Sequence, residues 1–427
     1  MSDWVERDAM RVWHGFTQMA SFELNEPVIV ERAEGHELID VDGRRYLDAI
    51  SSLWVTTLGH NLPDLNDALR SQLGKVAHST LLGNGNRAVI ELSEALAPVV
   101  PLGDPHFLYA SDGACAVEQA LKIAVQYWRN LDLEGKVGFL ALGDAYHGDT
   151  IGAMSLGEGF GSEHFDLLRF PVVRAPGYSD PGWADEACRL VETRAQELAA
   201  VVIEPLVQAA GGMYVARPED VRRLADCCRE QGVLLVCDEV AVGFGRTGSL
   251  FASRRCGIEP DLLVLGKGIT GGYLPMSATV ASGKVFLAFL GEDLGPRTFY
   301  HGHSYGGNAL AAAVALRHLE LLAEWNVLAN VEARSAELRA LLAERIEPLP
   351  QVADIRLLGL LGGVELRPGA GGRAVCAEAV RRGVLLRPLG DVVTLVPPLT
   401  ITSAELERIV DVLAQAIAAV GDNPARA

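Results

Sequence analysis

The 427-residue sequence predicts an α/β protein: a large domain with a doubly wound, mostly parallel sheet, and a smaller α+β domain drawn from both chain ends. Three observations carry that expectation. Between about residues 61 and 300, short apolar runs alternate with helical patterns, as a doubly wound sheet requires. Two of these runs, 233–237 and 262–265, are too short for helices and end in Asp238-Glu239 and Gly266-Lys267. Outside that stretch, strand and hairpin signals mark the first sixty residues, and long helical periods follow Gly307.

In chain order, 28–32 and 37–41 read as strands, and Asp42-Gly43 before Arg44-Arg45-Tyr46-Leu47 is a hairpin signal. Strands are predicted at 107–110, 137–142, 201–203, 233–237, 262–265 and 277–280. After Ser111-Asp112-Gly113-Ala114, the residues Val117, Ala120, Leu121, Ala124, Val125 and Trp128 share one helical face. Two long helices are predicted near 308–323 and 328–346, then short strands around 361–366, 384–386 and 392–396. A last helix runs from about Thr402 to Val420. Thr402 and Glu405 have capping-box spacing, and Gly421-Asp422-Asn423-Pro424 marks the end. The expected division is a small domain from 1–60 and 308–427 and a large domain over 61–307.

Composition narrows the function. A formal charge of −18 argues against nucleic acid or an anionic membrane as partner. Hydrophobic residues at 49% and charged residues at 22% suit a folded enzyme with a large core. Met1-Ser2-Asp3-Trp4-Val5-Glu6-Arg7-Asp8 lacks the pattern of a signal peptide, and no apolar stretch approaches the roughly 20 residues that cross a bilayer. Seven cysteines without CxxC spacing read as reduced thiols. A cytoplasmic location is expected.

Lys267 and Asp238 place a lysine and an acid at strand C-terminal ends, where open α/β sheets bind ligands. Such a pair suits pyridoxal phosphate: the lysine forms the Schiff base and the carboxylate keeps the pyridinium nitrogen protonated. The same spacing also suits a solvated loop lysine and a plain Asp-Glu turn. Gly266, Gly268, Gly271 and Gly272 would let backbone approach a ligand, and a P-loop is excluded because no Ser or Thr follows Lys267. The small residues 111–114 offer either an anion site at a helix start or a simple N-cap. Tyr146 of Tyr146-His147-Gly148-Asp149 either stacks on a ring, worth roughly 0.5–1.5 kcal/mol, or sits on a surface loop. Glu204 closes a strand at the same edge, near the coenzyme or only fixing its loop. His301-Gly302-His303-Ser304-Tyr305 carries two histidines, but no carboxylate or cysteine stands at ligand spacing, so no metal is expected.

With these pieces in order, the chain resembles the class III, or ω, aminotransferases of fold type I, which are pyridoxal-phosphate enzymes. Specific stretches carry the likeness: Asp238-Glu239-Val240 leading to Gly243-Phe244-Gly245-Arg246-Thr247-Gly248, and Gly266-Lys267-Gly268-Ile269-Thr270-Gly271-Gly272-Tyr273-Leu274-Pro275. Stretches 111–114, 146–149, 202–205 and 301–308 match as well. The resemblance spans nearly the whole chain. It implies that Lys267 is the Schiff-base lysine and proton shuttle, Asp238 the pyridinium partner and Tyr146 the stacking ring. Gly113 and Ala114 would hold the phosphate through backbone, with His147, Glu204 and His303 also around the coenzyme. Ser304 would reach the phosphate of a neighbouring subunit, which makes the unit a homodimer.

Within the class, the likeness is to enzymes that convert 8-amino-7-oxononanoate to 7,8-diaminononanoate for biotin, using a small-molecule amino donor and a keto acceptor. Trp13-His14-Gly15-Phe16-Thr17-Gln18-Met19, Ser51-Ser52-Leu53-Trp54-Val55 and Arg387-Pro388-Leu389-Gly390 support it. By that resemblance Phe16, Leu53, Trp54 and Gly302 line the substrate and Arg387 receives its carboxylate. The branch using S-adenosylmethionine has two adjacent tryptophans where Leu53-Trp54 stand, and Pro-Tyr where Gly15-Phe16 stand. Leu53-Trp54 and 301–305 are instead similar to the lysine-using branch, while Gly15, Ala209 and Val242 match neither. The donor stays open between S-adenosylmethionine and lysine. A class III aminotransferase with another keto or aldehyde acceptor, or an aminomutase, would keep the same coenzyme residues.

Overall fold

The structure, a computed structural model, describes residues 3–159 and 161–421. Its centre is a seven-stranded sheet of β1 (His106–Ala110), β2 (Gly138–Leu142), β3 (Val173–Ala175), β4 (Leu198–Ile203), β5 (Leu234–Asp238), β6 (Leu262–Leu265) and β7 (Ser277–Ala281). The spatial order is β1-β7-β6-β5-β4-β2-β3. Strands β2 to β6 pair in parallel, and β7 runs antiparallel to both β6 and β1. The predicted strands all form, mostly within one residue of their expected limits. β4 starts three residues earlier, and β3 is too short to leave a periodic signal.

The apolar runs of β5 and β6 are buried on both faces. Leu234, Val236, Leu262 and Val264 belong to one core, with Val117, Ala120, Leu121 and Ala124 of the helix Gly113–Asn130. The alternate residues Leu235, Cys237, Leu263 and Leu265 belong to a second, larger core. This is the period-two reading of a sheet covered by helices on both sides.

Both chain ends build smaller sheets. Strands Val30–Glu34, Glu37–Asp40 and Arg45–Asp48 form an antiparallel ribbon, and Val384–Leu385 adds in parallel through Val384↔Leu47. A second antiparallel sheet holds Val352–Leu358, Leu361–Leu366, Val392–Leu395 and Arg387–Leu389. The expected strand at 384–386 is therefore shorter: its first two residues join the N-terminal sheet, Leu386 belongs to no strand, and a further strand from Arg387 joins the C-terminal sheet. The helices Ala309–Glu324, Val327–Arg345 and Ser403–Gly421 match the periodicity. Thr402 and Glu405 form the capping box: Thr402 N–H donates to Glu405 Oε2 at 2.8 Å and Glu405 N–H to Thr402 Oγ1 at 3.3 Å. The stop signal Gly421-Asp422-Asn423-Pro424 lies outside the described residues beyond Gly421. Among the described residues, no helix is long and apolar enough to cross a membrane.

Candidate active site

Strand register fixes where the ionisable groups emerge. Cys237 pairs with Ile203 and Asp238 with Val264, so Asp238, Glu204 and the chain toward Lys267 leave the sheet at one edge. β7 is reversed, so its first residue, Ser277, pairs with Ala110 and brings 111–114 to that same edge. A cavity of about 700 Å³ opens there. Its walls include Trp54, Gly113, Ala114, Tyr146, His147, Glu204, Asp238, Val240 and Lys267.

Asp238 is buried and held from two sides. Its Oδ2 lies 2.8 Å from His147 Nδ1, and Oδ1 accepts from the Val240 amide at 3.0 Å. His147 Nε2 is buried without a hydrogen-bond partner among the described residues. Glu204 accepts from the amides of Tyr146 at 3.1 Å and Ala209 at 3.2 Å, tying two loops together. Burial pushes its carboxyl up to about 7, with Asp238 adding to the rise and His147 opposing it. Glu239 points the other way, accepting from Ala252, Ser253 and the Ser253 hydroxyl, and so anchors the following loop.

Lys267 opens the short 3₁₀ turn Lys267–Thr270 with φ +43. Its Nζ stands 4.8 Å from the centroid of the Trp54 ring. Burial lowers the lysine's pKa, against the pull of Asp238 and Glu204, and Arg246 lowers it further. A lysine brought toward neutrality beside an acid is suited to proton transfer. Tyr146 donates its hydroxyl to Asp149 Oδ2 at 2.8 Å, and burial pushes its phenol well above the usual range.

At the opposite wall, Asp112 caps the helix Gly113–Asn130 by accepting from the Cys115 amide at 2.9 Å. Burial alone would raise this carboxyl, but hydrogen bonds from Cys115 and Ser111 hold it below its usual value. The N-cap reading of 111–114 is therefore correct, and it is compatible with the anion reading: Gly113 and Ala114 still line the cavity at the helix's positive end. An acid at the buried floor, a desolvated amine, a flat aromatic and a helix start are the donor set that a phosphorylated pyridine aldehyde needs. The residues fit pyridoxal phosphate.

Several expected residues stand apart from this cavity. Arg387 is half-buried on its edge strand, and its guanidinium makes no ion pair among the described residues. Phe16 and Leu53 are 61% and 45% exposed. Gly302 and Ser304 lie on an exposed loop; His78 Nε2 meets the Ser304 carbonyl at 2.7 Å. His303 comes closer, its Nε2 3.0 Å from Ser111 Oγ. Three wall or support residues escaped the sequence reading: Val240, Tyr273 and Arg246. The first two stand in the stretches that carry the family likeness, but as apolar or aromatic loop residues they suggested no site role. Arg246 is fully buried, donating to the Thr56 carbonyl at 2.8 Å and to the Pro397 carbonyl, and burial lowers its pKa to about 9. Only its place in a glycine-rich run hinted at such a role.

Comparison with known proteins agrees with this geometry. Residues 19–417 match the family described as Aminotransferase class-III. The adenosylmethionine-8-amino-7-oxononanoate aminotransferase of Nitratidesulfovibrio vulgaris is 46% identical over 98% of this chain and 82% of its own. The crystal structure of the protein of that name from Methanocaldococcus jannaschii superposes with a TM-score of 0.93 at 36% identity, covering 97% of this chain and 98% of that one. A thermostable ω transaminase from Pseudomonas jessenii reaches 0.92 at 27% identity over 98% and 99%. Match, identity and superposition all run nearly end to end, and the chain belongs to the class III aminotransferases, pyridoxal-phosphate-dependent enzymes of fold type I.

Proposed function

We propose that the enzyme transfers an amino group to 8-amino-7-oxononanoate, giving 7,8-diaminononanoate for biotin synthesis, with S-adenosylmethionine or lysine as donor. The observation that carries this reading is near full-length similarity to relatives named for that aminotransfer. The site chemistry supports it. When bound, the coenzyme supplies an aldehyde that takes up the donor's amine and a cationic ring that draws electrons from the carbon losing its proton.

The chain's own residues do the rest. Asp238, oriented by His147 and the Val240 amide, keeps the proton on the ring nitrogen. Lys267 carries the proton between substrate and coenzyme carbons through Nζ. Tyr146 supplies a flat face, and the amides of Gly113 and Ala114 orient the phosphate. Glu204 holds the loops of Tyr146 and Ala209 in place. Trp54, with Phe16 and Leu53, lines the acyl chain, and the guanidinium fork of Arg387 takes the carboxylate. Ser304, on an exposed loop beside Gly302 and His303, serves the neighbouring copy in a cytoplasmic homodimer. The domain division at 1–60 with 308–427, and 61–307, belongs to the same reading: Trp54 and Val55 of the small part and β-strand loops of the large part wall one cavity.

The test is product formation. Enzyme, 8-amino-7-oxononanoate and either donor are incubated, and the diamine is followed by mass spectrometry. Diamine formed with one donor assigns that donor. No diamine with either, while other amines are consumed, overturns the acceptor. A monomer with full activity in sedimentation overturns the shared site.

A further inference from the structure

The glycines after Lys267 pack closely against protein, and Gly272 also lines the cavity. A Cβ at Gly268 would lie 3.2 Å from Thr57 Cγ2 and 3.1 Å from Phe244 Cβ. One at Gly271 would lie 3.0 Å from the His318 ring, and one at Gly272 2.9 Å from Thr56 Cα. The turn Lys267–Thr270 therefore rests on a platform made of Thr56, Thr57, Phe244 and His318.

His318 comes from the helix Ala309–Glu324 and is fully buried, with Nε2 2.6 Å from Thr57 Oγ1. The threonines are themselves tied down. The Thr57 carbonyl accepts from the Leu399 amide at 2.6 Å, and the Thr56 carbonyl from Arg246 Nη2 at 2.8 Å. Burial pushes the imidazole down to about 4, the Ile269 backbone pulling the other way, so the ring is neutral at ordinary pH. A neutral imidazole and a hydroxyl can exchange one hydrogen bond without burying charge. The turn needs such support. Lys267 holds a left-handed φ of +43, a conformation that costs a non-glycine residue about 1–3 kcal/mol unless its surroundings impose it.

We infer that His318, acting through Thr57, is a positioning residue for Lys267: the pair clamps the turn that aims Nζ into the cavity. The inference rests on Lys267 being the reacting lysine, so its test reads that lysine in the coenzyme-free enzyme as well as in turnover. Thr57→Val keeps the side chain's shape and deletes the hydroxyl. Thr57→Ser keeps the hydroxyl. His318→Leu removes the other partner. Each apoenzyme is treated with limiting acetic anhydride across a pH series, and acetylation of Lys267 is measured by peptide mass spectrometry against exposed Lys75.

In Thr57→Val and His318→Leu the midpoint of Lys267 labelling moves up by about half to one unit, as the ammonium gains water. kcat falls about tenfold with KM within about twofold, the pattern of a lost transition-state contribution. Thr57→Ser stays within about twofold of the parent enzyme. A folded Thr57→Val protein with an unmoved midpoint and unchanged kcat overturns the inference and leaves the pair as packing only. If His318→Leu does not fold, Thr57→Val decides alone. Persistent turnover by Lys267→Ala would instead sink the proposed function, and the labelling midpoints would still report on the clamp.

Discussion

Gly113 offers a sharp test of how the phosphate end of the site is built. It opens the helix Gly113–Asn130 directly against Val240, and its own φ is not left-handed, so the position needs space rather than conformational freedom. A methyl there would fall 2.8 Å from Val240 Cγ1 and 2.9 Å from Cγ2. Ordinary carbon contacts stand at about 3.5–4.0 Å, so the overlap approaches 1 Å. Overpacking of this kind costs about 1–3 kcal/mol, against which alanine's helix propensity returns at most about 1 kcal/mol. Gly113→Ala should therefore destabilise the protein by about 1–2 kcal/mol. If the helix start retreats instead, the amides of Gly113 and Ala114 leave the phosphate position, and the coenzyme Kd rises about tenfold for each 1.4 kcal/mol lost. Val240→Ala removes both clashing methyls, so the double variant should recover. The assay is a double-mutant cycle on thermal unfolding of the apoenzyme and on coenzyme Kd from fluorescence titration. A coupling of at least about 1 kcal/mol is expected. Parent-like melting and Kd for Gly113→Ala, or zero coupling with Val240→Ala, would refute the packing argument.

Three further outcomes follow from the same geometry. Asp238→Asn keeps the shape beside His147 but loses the charge, and kcat at saturating coenzyme should fall about 100-fold or more; a loss under tenfold counts against the pyridinium role. Arg387→Ala should raise KM about 10–100-fold for acceptors bearing a carboxylate, matching a charged hydrogen bond of about 1.5–3 kcal/mol. The same increase for a carboxylate-free acceptor would contradict a clamp. Glu405→Gln probes the link between the chain ends. Burial alone would raise Glu405, but His36, 3.0 Å away, and the hydrogen bonds from Thr402 hold it at about 2, below an ordinary 4.5. That lowered value stabilises the folded state fully above about pH 4.5, and the stabilisation is lost as pH falls toward 2. The variant should be about 1–3 kcal/mol less stable at pH 7, with the difference shrinking below pH 4 in denaturant titrations. A difference that grows in acid would reverse the sign of this argument.

The sequence was most legible where one physical signal dominated. β5 and β6 are short, apolar and buried on both faces, so their limits and the charged residues ending them could be read directly. The last helix announced its start through Thr402 and Glu405, whose hydrogen bonds form as the capping box requires. Legibility failed where tertiary pairing overrode local pattern. Val352–Leu358 carries Asp354 and Arg356 within an irregular register, so it shows no clean alternation. The helix Gly372–Arg381 follows a glycine cluster that masks its start. Residues 384–389 serve two sheets, a division no local window contains. In the site, Lys267, Asp238, Tyr146 and Glu204 were legible because each ends or follows a strand. The close packing of the glycines after Lys267 was not legible, because their neighbours Thr56, Thr57 and His318 are far away in sequence. Arg246 escaped because a buried arginine is identified by the carbonyls it meets, and these come from both chain ends.

The central claim is that Lys267, Asp238 and the surrounding cavity aminate 8-amino-7-oxononanoate. The most direct test is a single half-reaction: the enzyme is loaded with pyridoxamine phosphate, excess donor is removed, and 8-amino-7-oxononanoate is added while the coenzyme spectrum is recorded. Prompt return of the aldehyde-form absorbance, with one diamine formed per active site, is the predicted result. No spectral change with this acceptor, from enzyme that still converts with another keto compound, would contradict the claim.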